Sequence, residues 1–311
     1  MEEGILDEAS RKGAKTLSLN SDFAYSLRLC VKQLLFLQII IFMPDFFQNK
    51  VIAVTGGSDG IGKALVDALI QRGAKVATCG RSQEKLYDLQ VRHSGKPLHT
   101  LVTDVSNLND CKNFIDSTIS TFGGIDILIN NAGISMRALL EDADIDVIRK
   151  VMKINFFGTL YCTKLALDSV IKNKGSIVGV SSIAGFRGLP GRSGYSASKF
   201  AVNGFLESLR TELRDKGVNV MWVCPGFTTS NIRNVALNSK GQSQGESPMD
   251  ESKMMSAEEC ARHILRAIEK RKRTLVLTFN GKRTVFMNKF FPSLADRFVK
   301  NFFFKKGVLV R

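Results

Sequence analysis

Thr55-Gly56-Gly57-Ser58-Asp59-Gly60-Ile61-Gly62, set between the apolar run 51–54 and the helical stretch 63–71, decides how the rest of the chain is read. Glycines at these positions remove side chains, so backbone N–H groups can approach a pyrophosphate. The helix that follows offers the positive end of its dipole to the same anion. A tight strand-to-helix turn also needs glycine, so the position of the turn matters more than its composition. It lies at the first strand of a long alternation: apolar runs at 51–54, 75–78, 98–103, 125–129, 176–180, 219–223 and 274–278 are separated by amphipathic helical stretches. That pattern predicts an α/β fold, a doubly wound, seven-stranded, mainly parallel sheet with helices on both faces.

The catalytic domain is placed at residues 43–280, after an N-terminal extension (1–42) and before a basic, Phe-rich amphipathic tail (281–311). The extension mixes charges without periodicity and ends in an apolar run, 34–43, that is short of the ~20 residues needed to span a bilayer. It lacks a small-residue cleavage site, which argues against a secretory signal. Two readings stand. Met43-Pro44-Asp45-Phe46 resembles a natural start a few residues before the first strand, making the extension an over-extended start; alternatively, 34–43 dips into a membrane. Six cysteines with no metal-ligand spacing read as buried, reduced thiols of a cytoplasmic protein, and no metal site is expected. Of the net charge of +15, the last 51 residues contribute fourteen Lys/Arg less two acids, or +12, which points to a partner with negative charge. Nucleic acid is disfavoured, because no recognised binding motif accompanies the charge.

Further motifs follow in order: Asp104-Val105 after the third strand, Asn130-Asn131-Ala132-Gly133 after the fourth, Asn155 within Lys153-Ile154-Asn155-Phe156-Phe157-Gly158, Ser182 after the fifth, Tyr195-Ser196-Ala197-Ser198-Lys199, and Pro225-Gly226 after the sixth. With T-G-x-x-x-G-I-G they resemble the short-chain dehydrogenase/reductase family over residues 50–230, and so imply a Rossmann fold and hydride transfer to or from nicotinamide. Carried over residue by residue, the resemblance implies that Gly56, Ser58, Gly60, Ile61 and Gly62 cradle the pyrophosphate. Asp104 and Val105 meet the adenine, and Asn131 steadies the sheet and lines the site. Pro225 and Thr228 meet the nicotinamide carboxamide, with Ser230 where the family usually has threonine.

The i, i+4 spacing of Tyr195 and Lys199 puts phenol and ammonium on one helix face. A free phenol titrates near ~10; lowering that by ~3 pH units takes about 4 kcal/mol, which the ammonium and an oxidised nicotinamide are expected to supply. Lys199 is also implied to bind the nicotinamide ribose, and Asn155 to hold a water on a proton relay to it. Ser182 lies thirteen residues before Tyr195, the family interval, so the resemblance implies that it, rather than the adjacent Ser181, is the hydroxyl on the substrate carbonyl. The second strand ends Cys79-Gly80-Arg81-Ser82, with a guanidinium where NAD enzymes carry an acid, so Arg81 and Ser82 favour the 2′-phosphate of NADPH (NADP+). Asp59 runs against that preference unless it caps the helix beginning at Gly60. Arg187 and Arg192 flank the site, either to meet an anionic substrate group or as solvated loop charges.

In the tail, Pro292 and Ser293 are expected to open a helix, with Asp296 as the capping-box partner of Ser293. Ala295, Phe298, Val299, Phe302 and Phe303 form its stripe, flanked by Arg297, Lys300, Lys305 and Lys306 and extended by Phe286, Phe290 and Phe291. Such a face suits a membrane interface or packing on the domain or a second copy. The tail resembles the branch that holds 3-ketodihydrosphingosine reductases and 11β-hydroxysteroid dehydrogenases. The expectation is an NADPH-dependent reductase of a hydrophobic ketone, such as 3-ketodihydrosphingosine, to a secondary alcohol. It would be a homodimer or homotetramer at the cytoplasmic face of a membrane. The rivals are a soluble reductase of carrier-bound or small ketones and a non-catalytic NADPH-binding sensor.

Overall fold

The structure is a computed structural model, and it describes residues 45–229, 231–245 and 254–310. The extension 1–42 with Cys30, Met43, Ser230 and residues 246–253 lie outside the described residues. Contacts divide the chain into two units, Met1–Phe46 and Phe47–Arg311.

In the second unit the strands are β1 (Val51–Thr55), β2 (Lys75–Gly80), β3 (Leu98–Val102), β4 (Ile127–Asn130), β5 (Ser176–Val180), β6 (Asn219–Cys224) and β7 (Thr274–Val276), each within two residues of its predicted start. Every pairing among them is parallel, in the order β3-β2-β1-β4-β5-β6-β7. The chain therefore winds outward from β1 in one direction and from β4 in the other, and a crevice opens where the winding reverses, at the carboxyl ends of the strands. Strands covered on both faces need apolar side chains throughout, and β1, β4 and β5 are buried along their whole length.

Polar residues set where the helices begin. Asp59 accepts from the Gly60 N–H and opens α1 (Gly60–Gln71). Ser82 does the same for α2 (Gln83–Arg92) through Lys85 N–H, and Asn107 for α3 (Leu108–Phe122). After α4 (Ile145–Met152) comes a π-helical turn (Lys153–Phe157), then α5 (Gly158–Lys172). Tyr195 and Lys199 lie in α6 (Ser193–Glu212), and Ser256 caps α7 (Ala257–Glu269). The stretch 238–245 is a hydrogen-bonded turn: Asn238 Oδ1 accepts from Lys240 and Gln242 N–H, and Lys240 pairs with Asp144 at 3.3 Å.

The C-terminal residues form α8 (Phe279–Phe290), α9 (Pro292–Phe303) and a small antiparallel ladder of β8 (Phe304–Lys305) with β9 (Val308–Leu309). They pack against the loop after β5: Arg187 donates to Asn288 Oδ1 and pairs with Asp296, and Asn288 donates to Phe186 O. The expected capping box does not form. Phe291 is the N-cap of α9, Pro292 occupies its first turn, and Asp296 is drawn to Arg187 instead. The expected single stripe also divides. At 100° per residue, Ala295 and Phe303 face inward and are buried, while Phe298 and Phe302, on the next row, are exposed. Leu294 shares their row, and Phe286, Phe290 and Phe291 are each more than half exposed.

Candidate active site

The crevice holds a cleft of about 440 Å³. Of the residues expected at a site, Gly56, Ser58, Gly60, Ile61, Gly62, Arg81, Ser82, Asp104, Val105, Asn131, Ser182, Tyr195, Lys199, Pro225 and Thr228 all line it. At the Gly-rich turn, Gly56 has φ +70°, a left-handed conformation that glycine adopts without strain. A Cβ on Gly62 would overlap the Gly56 carbonyl and the Asn131 amide, so the turn closes only without side chains. Asn131 Nδ2 donates to Thr55 O at 3.0 Å and Gly56 O at 3.1 Å, while Thr55 Oγ1 accepts from the Asn131 and Ala132 N–H groups. The end of β4 is thus laced to the turn that β1 feeds. Such a bare cradle at a helix N-terminus fits a dinucleotide pyrophosphate.

At the end of β2, Arg81 is exposed and Ser82 caps α2. Lys85, which the sequence reading missed, lines the same end and pairs with Asp59. Burial alone would raise the Asp59 carboxyl, but the Lys85 ammonium outweighs it and holds the group below the ordinary carboxylate range. Asp59 is therefore both helix cap and ion-pair partner, and its charge is offset. The Asp104 carboxylate turns into its own loop, accepting from Ser106 N–H and Oγ at 2.9 and 2.8 Å.

At the opposite end, Ser182 Oγ accepts from Ala184 N–H at 3.1 Å and hydrogen-bonds the Tyr195 phenol. Ser181 instead donates to Lys199 O at 3.4 Å. Lys199 Nζ donates to Val180 O at 2.9 Å and lies 5.7 Å from the Tyr195 ring centre. Burial brings this ammonium down to about 8. Burial also pushes the phenol up, against the Ser182 hydrogen bond and the Arg192 charge. The expected lowering by Lys199 is thus not a property of the protein alone; here the neutral phenol is favoured. Asn155 lies behind the cleft. Its Oδ1 accepts from Ile134 N–H at 2.8 Å, and its Nδ2 donates to Ile134 O and Ser198 Oγ, both at 2.9 Å. The π turn carries Asn155, and such one-residue bulges recur at functional sites because they re-aim a side chain.

Leu189, Phe227, Ile232 and Val235 also line the cleft, and Phe302 of α9 stacks on Phe227 with ring centres 6.1 Å apart. Arg187, weighed as a site residue, instead ties α8 and α9 down, whereas Arg192 lines the cleft. Among the described residues, no helix is long and apolar enough to cross a membrane.

The fold, the bare cradle and the Ser182–Tyr195–Lys199 group define an oxidoreductase of nicotinamide type. The chain belongs to the short-chain dehydrogenase/reductase family, whose profile, described as short chain dehydrogenase, matches residues 50–240. It is 33% identical over 260 residues to dehydrogenase/reductase SDR family member 7B of Mus musculus, covering 81% of this chain and 80% of that protein. It is 37% identical over 224 residues to an 11-beta-hydroxysteroid dehydrogenase-like 4A of Arabidopsis thaliana, covering 71% and 73%. The fold matches a short-chain dehydrogenase/reductase from Burkholderia phymatum solved in complex with NAD, with a TM-score of 0.72, 23% identity and coverage of 80% of this chain and 95% of that one. Members of the family use NAD(H) or NADP(H) and act on small molecules.

Proposed function

We propose that this chain is an NADPH-dependent reductase that converts a hydrophobic, lipid-like ketone to a secondary alcohol beside a membrane. The observation that carries the reading is the apolar throat: the Ser182–Tyr195 pair sits in a cleft whose other walls include Leu189, Phe227 and Val235, with Phe302 stacked on Phe227. NADPH, when bound, supplies the hydride. Ser182 holds the ketone oxygen, and Tyr195, kept neutral by burial, gives that oxygen its proton. Lys199, titrating at about 8, is poised to return a proton to the phenol near neutral pH. Asn155 is a positioning residue that fixes Ile134 and Ser198 around Lys199. The lipid branch suggests 3-ketodihydrosphingosine as one example. A non-catalytic sensor would have no use for a phenol paired with Ser182.

Preference for NADPH rests on two cations, Arg81 and Lys85, at the ribose end, where the acid that lines the cleft beside them, Asp59, is already paired with Lys85. Charge-assisted contacts to a phosphate are worth about 1.5–3 kcal/mol each, so Arg81→Ala should raise the NADPH constant by roughly 10- to 100-fold and leave NADH little changed. Initial rates of absorbance loss at 340 nm with both cofactors test this; equal losses refute it.

Membrane contact rests on the exposed band of Phe286, Phe290, Phe291 and Phe298 among Lys282, Arg283, Lys289, Arg297 and Lys300. Each inserted ring contributes about 1.5–3 kcal/mol and each cation about 1 kcal/mol near the anionic cytoplasmic leaflet. Replacing Phe290, Phe291 and Phe298 by Ser should abolish sedimentation with phosphatidylserine vesicles while the fold persists. If the variant still sediments, or if it loses a dimer or tetramer on gel filtration, the band serves another purpose and the membrane reading falls.

A further inference from the structure

The two side chains that meet the ketone oxygen in the proposed reaction come from separate elements. Ser182 follows β5 in extended backbone and caps a short 3-10 turn, Ile183–Gly185. The turn grips it twice: Ala184 N–H donates to Ser182 Oγ at 3.1 Å, and Gly185 N–H donates to Ser182 O at 2.9 Å. Tyr195 lies in the first turn of α6, whose N-cap, Arg192, makes no side-chain capping bond. A first turn without a cap is held less firmly, so the placing of Tyr195 leans on contacts deeper in the helix.

Asn203 stands four residues after Lys199 and eight after Tyr195, on the same side of α6. Its Nδ2 donates to Gly185 O at 2.9 Å inside the protein. Because that partner is a carbonyl, the end of the amide that faces it is the nitrogen. The seam is tight. A Cβ on Gly185 would come within 2.7 Å of Asn203 Nδ2, 2.8 Å of Ser181 Oγ and 2.9 Å of Lys199 O, so the turn lies directly against the helix backbone at Lys199. Ser181 Oγ spans the same seam, donating to Lys199 O at 3.4 Å. An amide is a poor filler for this space. Asn203 Oδ1 is buried without a hydrogen-bond partner among the described residues, and an unpaired buried polar atom costs free energy. The single bond to Gly185 O therefore adds little net stability; what it supplies is register between turn and helix. We propose that Asn203 is a positioning residue, locking the turn that carries Ser182 to the helix that carries Tyr195 and Lys199, and so setting the distance between the two hydroxyls that must meet at one ketone oxygen. This deepens the reductase reading and rests on it for the reaction, though not for the geometry.

Asn203→Leu keeps the volume and removes the donor, and Asn203→Ala removes it without any clash. Each full-length variant is assayed with NADPH and dodecan-2-one. Displacing a reacting group by about 1 Å costs up to about 100-fold in rate, so kcat should fall by roughly 10- to 100-fold while the KM for NADPH stays unchanged. The solvent deuterium isotope effect on kcat should rise, because proton delivery is the step set back; a residue that merely fills the core would not move it. The thermal midpoint should stay within about 4 °C of wild type. A wild-type kcat in both variants overturns the inference. So does a larger fall in midpoint in both, together with loss of NADPH binding, which would make Asn203 an ordinary core residue. Crystal structures of the wild-type and Asn203→Leu proteins need no turnover. Ser182 Oγ and Tyr195 Oη should stand about 1 Å further apart in the variant, and an unchanged separation refutes the inference. Should the wild-type protein leave dodecan-2-one untouched, that outcome counts against the reductase reading alone, and the separation in the two structures still decides the role of Asn203.

Discussion

Replacing Lys199 by methionine should make the protein more stable while abolishing its turnover. The Lys199 ammonium is buried, and its titration falls from 10.5 to about 8. That displacement of about two and a half pH units, at about 1.4 kcal/mol each, means that holding the charge inside costs about 3 kcal/mol at neutral pH. Methionine fills nearly the same volume without the charge. It loses the hydrogen bond to Val180 O, worth about 1 kcal/mol, leaving a net gain of about 2 kcal/mol. For a domain of this size that is an increase of about 4–8 °C in the thermal midpoint at pH 7. The pH dependence has a definite sign. Because the folded-state value lies below the unfolded one, the unfolded chain holds a proton that the folded protein has released between about pH 8 and 10.5. Wild-type stability therefore rises with pH through that window and carries the full penalty below it, so the advantage of the methionine variant should shrink toward pH 10.5. Thermal unfolding of the full chain at pH 7, 9 and 10.5, with and without the substitution, measures this. A variant less stable than wild type at pH 7, or a difference that does not change with pH, would refute the claim that Lys199 is held charged at a cost.

Two further substitutions probe the two ends of the cleft. Tyr195→Phe keeps the ring but removes the proton donor, and should lower kcat by ~10³ or more while NADPH binding, followed by its fluorescence, persists. Gly62→Ala drives a Cβ into the Gly56 carbonyl and the Asn131 amide; it should destabilise the fold by about 1–3 kcal/mol and abolish NADPH binding, and a variant that binds NADPH normally would show that the turn is looser than described.

The parts legible in the sequence are those fixed by short-range spacing. The β1 turn, the Tyr195–Lys199 pair one helical turn apart and the strand runs follow from local periodicity, and the sheet's winding follows from their alternation. What escaped depends on partners far along the chain. Arg192 and Phe303 are 111 positions apart, as the numbers themselves give, and nothing in either neighbourhood announces the other. Lys85 reads as an ordinary helix cation until Asp59 is brought to it. The Phe stripe of α9 looked single because a 3.6-residue period cannot say which of two adjacent rows will find a surface to bury against. The direction of the phenol's shift in the protein by itself was also out of reach, because burial, a tertiary quantity, raises it, and the expected lowering includes the charge of an oxidised nicotinamide.

Phe302 stacked on Phe227 and Phe303 against Arg192 brace from outside two residues that line the cleft, so α9 supports one wall of it. The residues proposed to hold the cofactor all precede β7, so the two tasks would be free to drift independently during descent. Relatives that share the cradle and the phenol, yet differ after β7, would be expected to share a coenzyme and part company over what they reduce. Grafting residues 279–310 between two such relatives should then shift substrate preference without touching coenzyme choice.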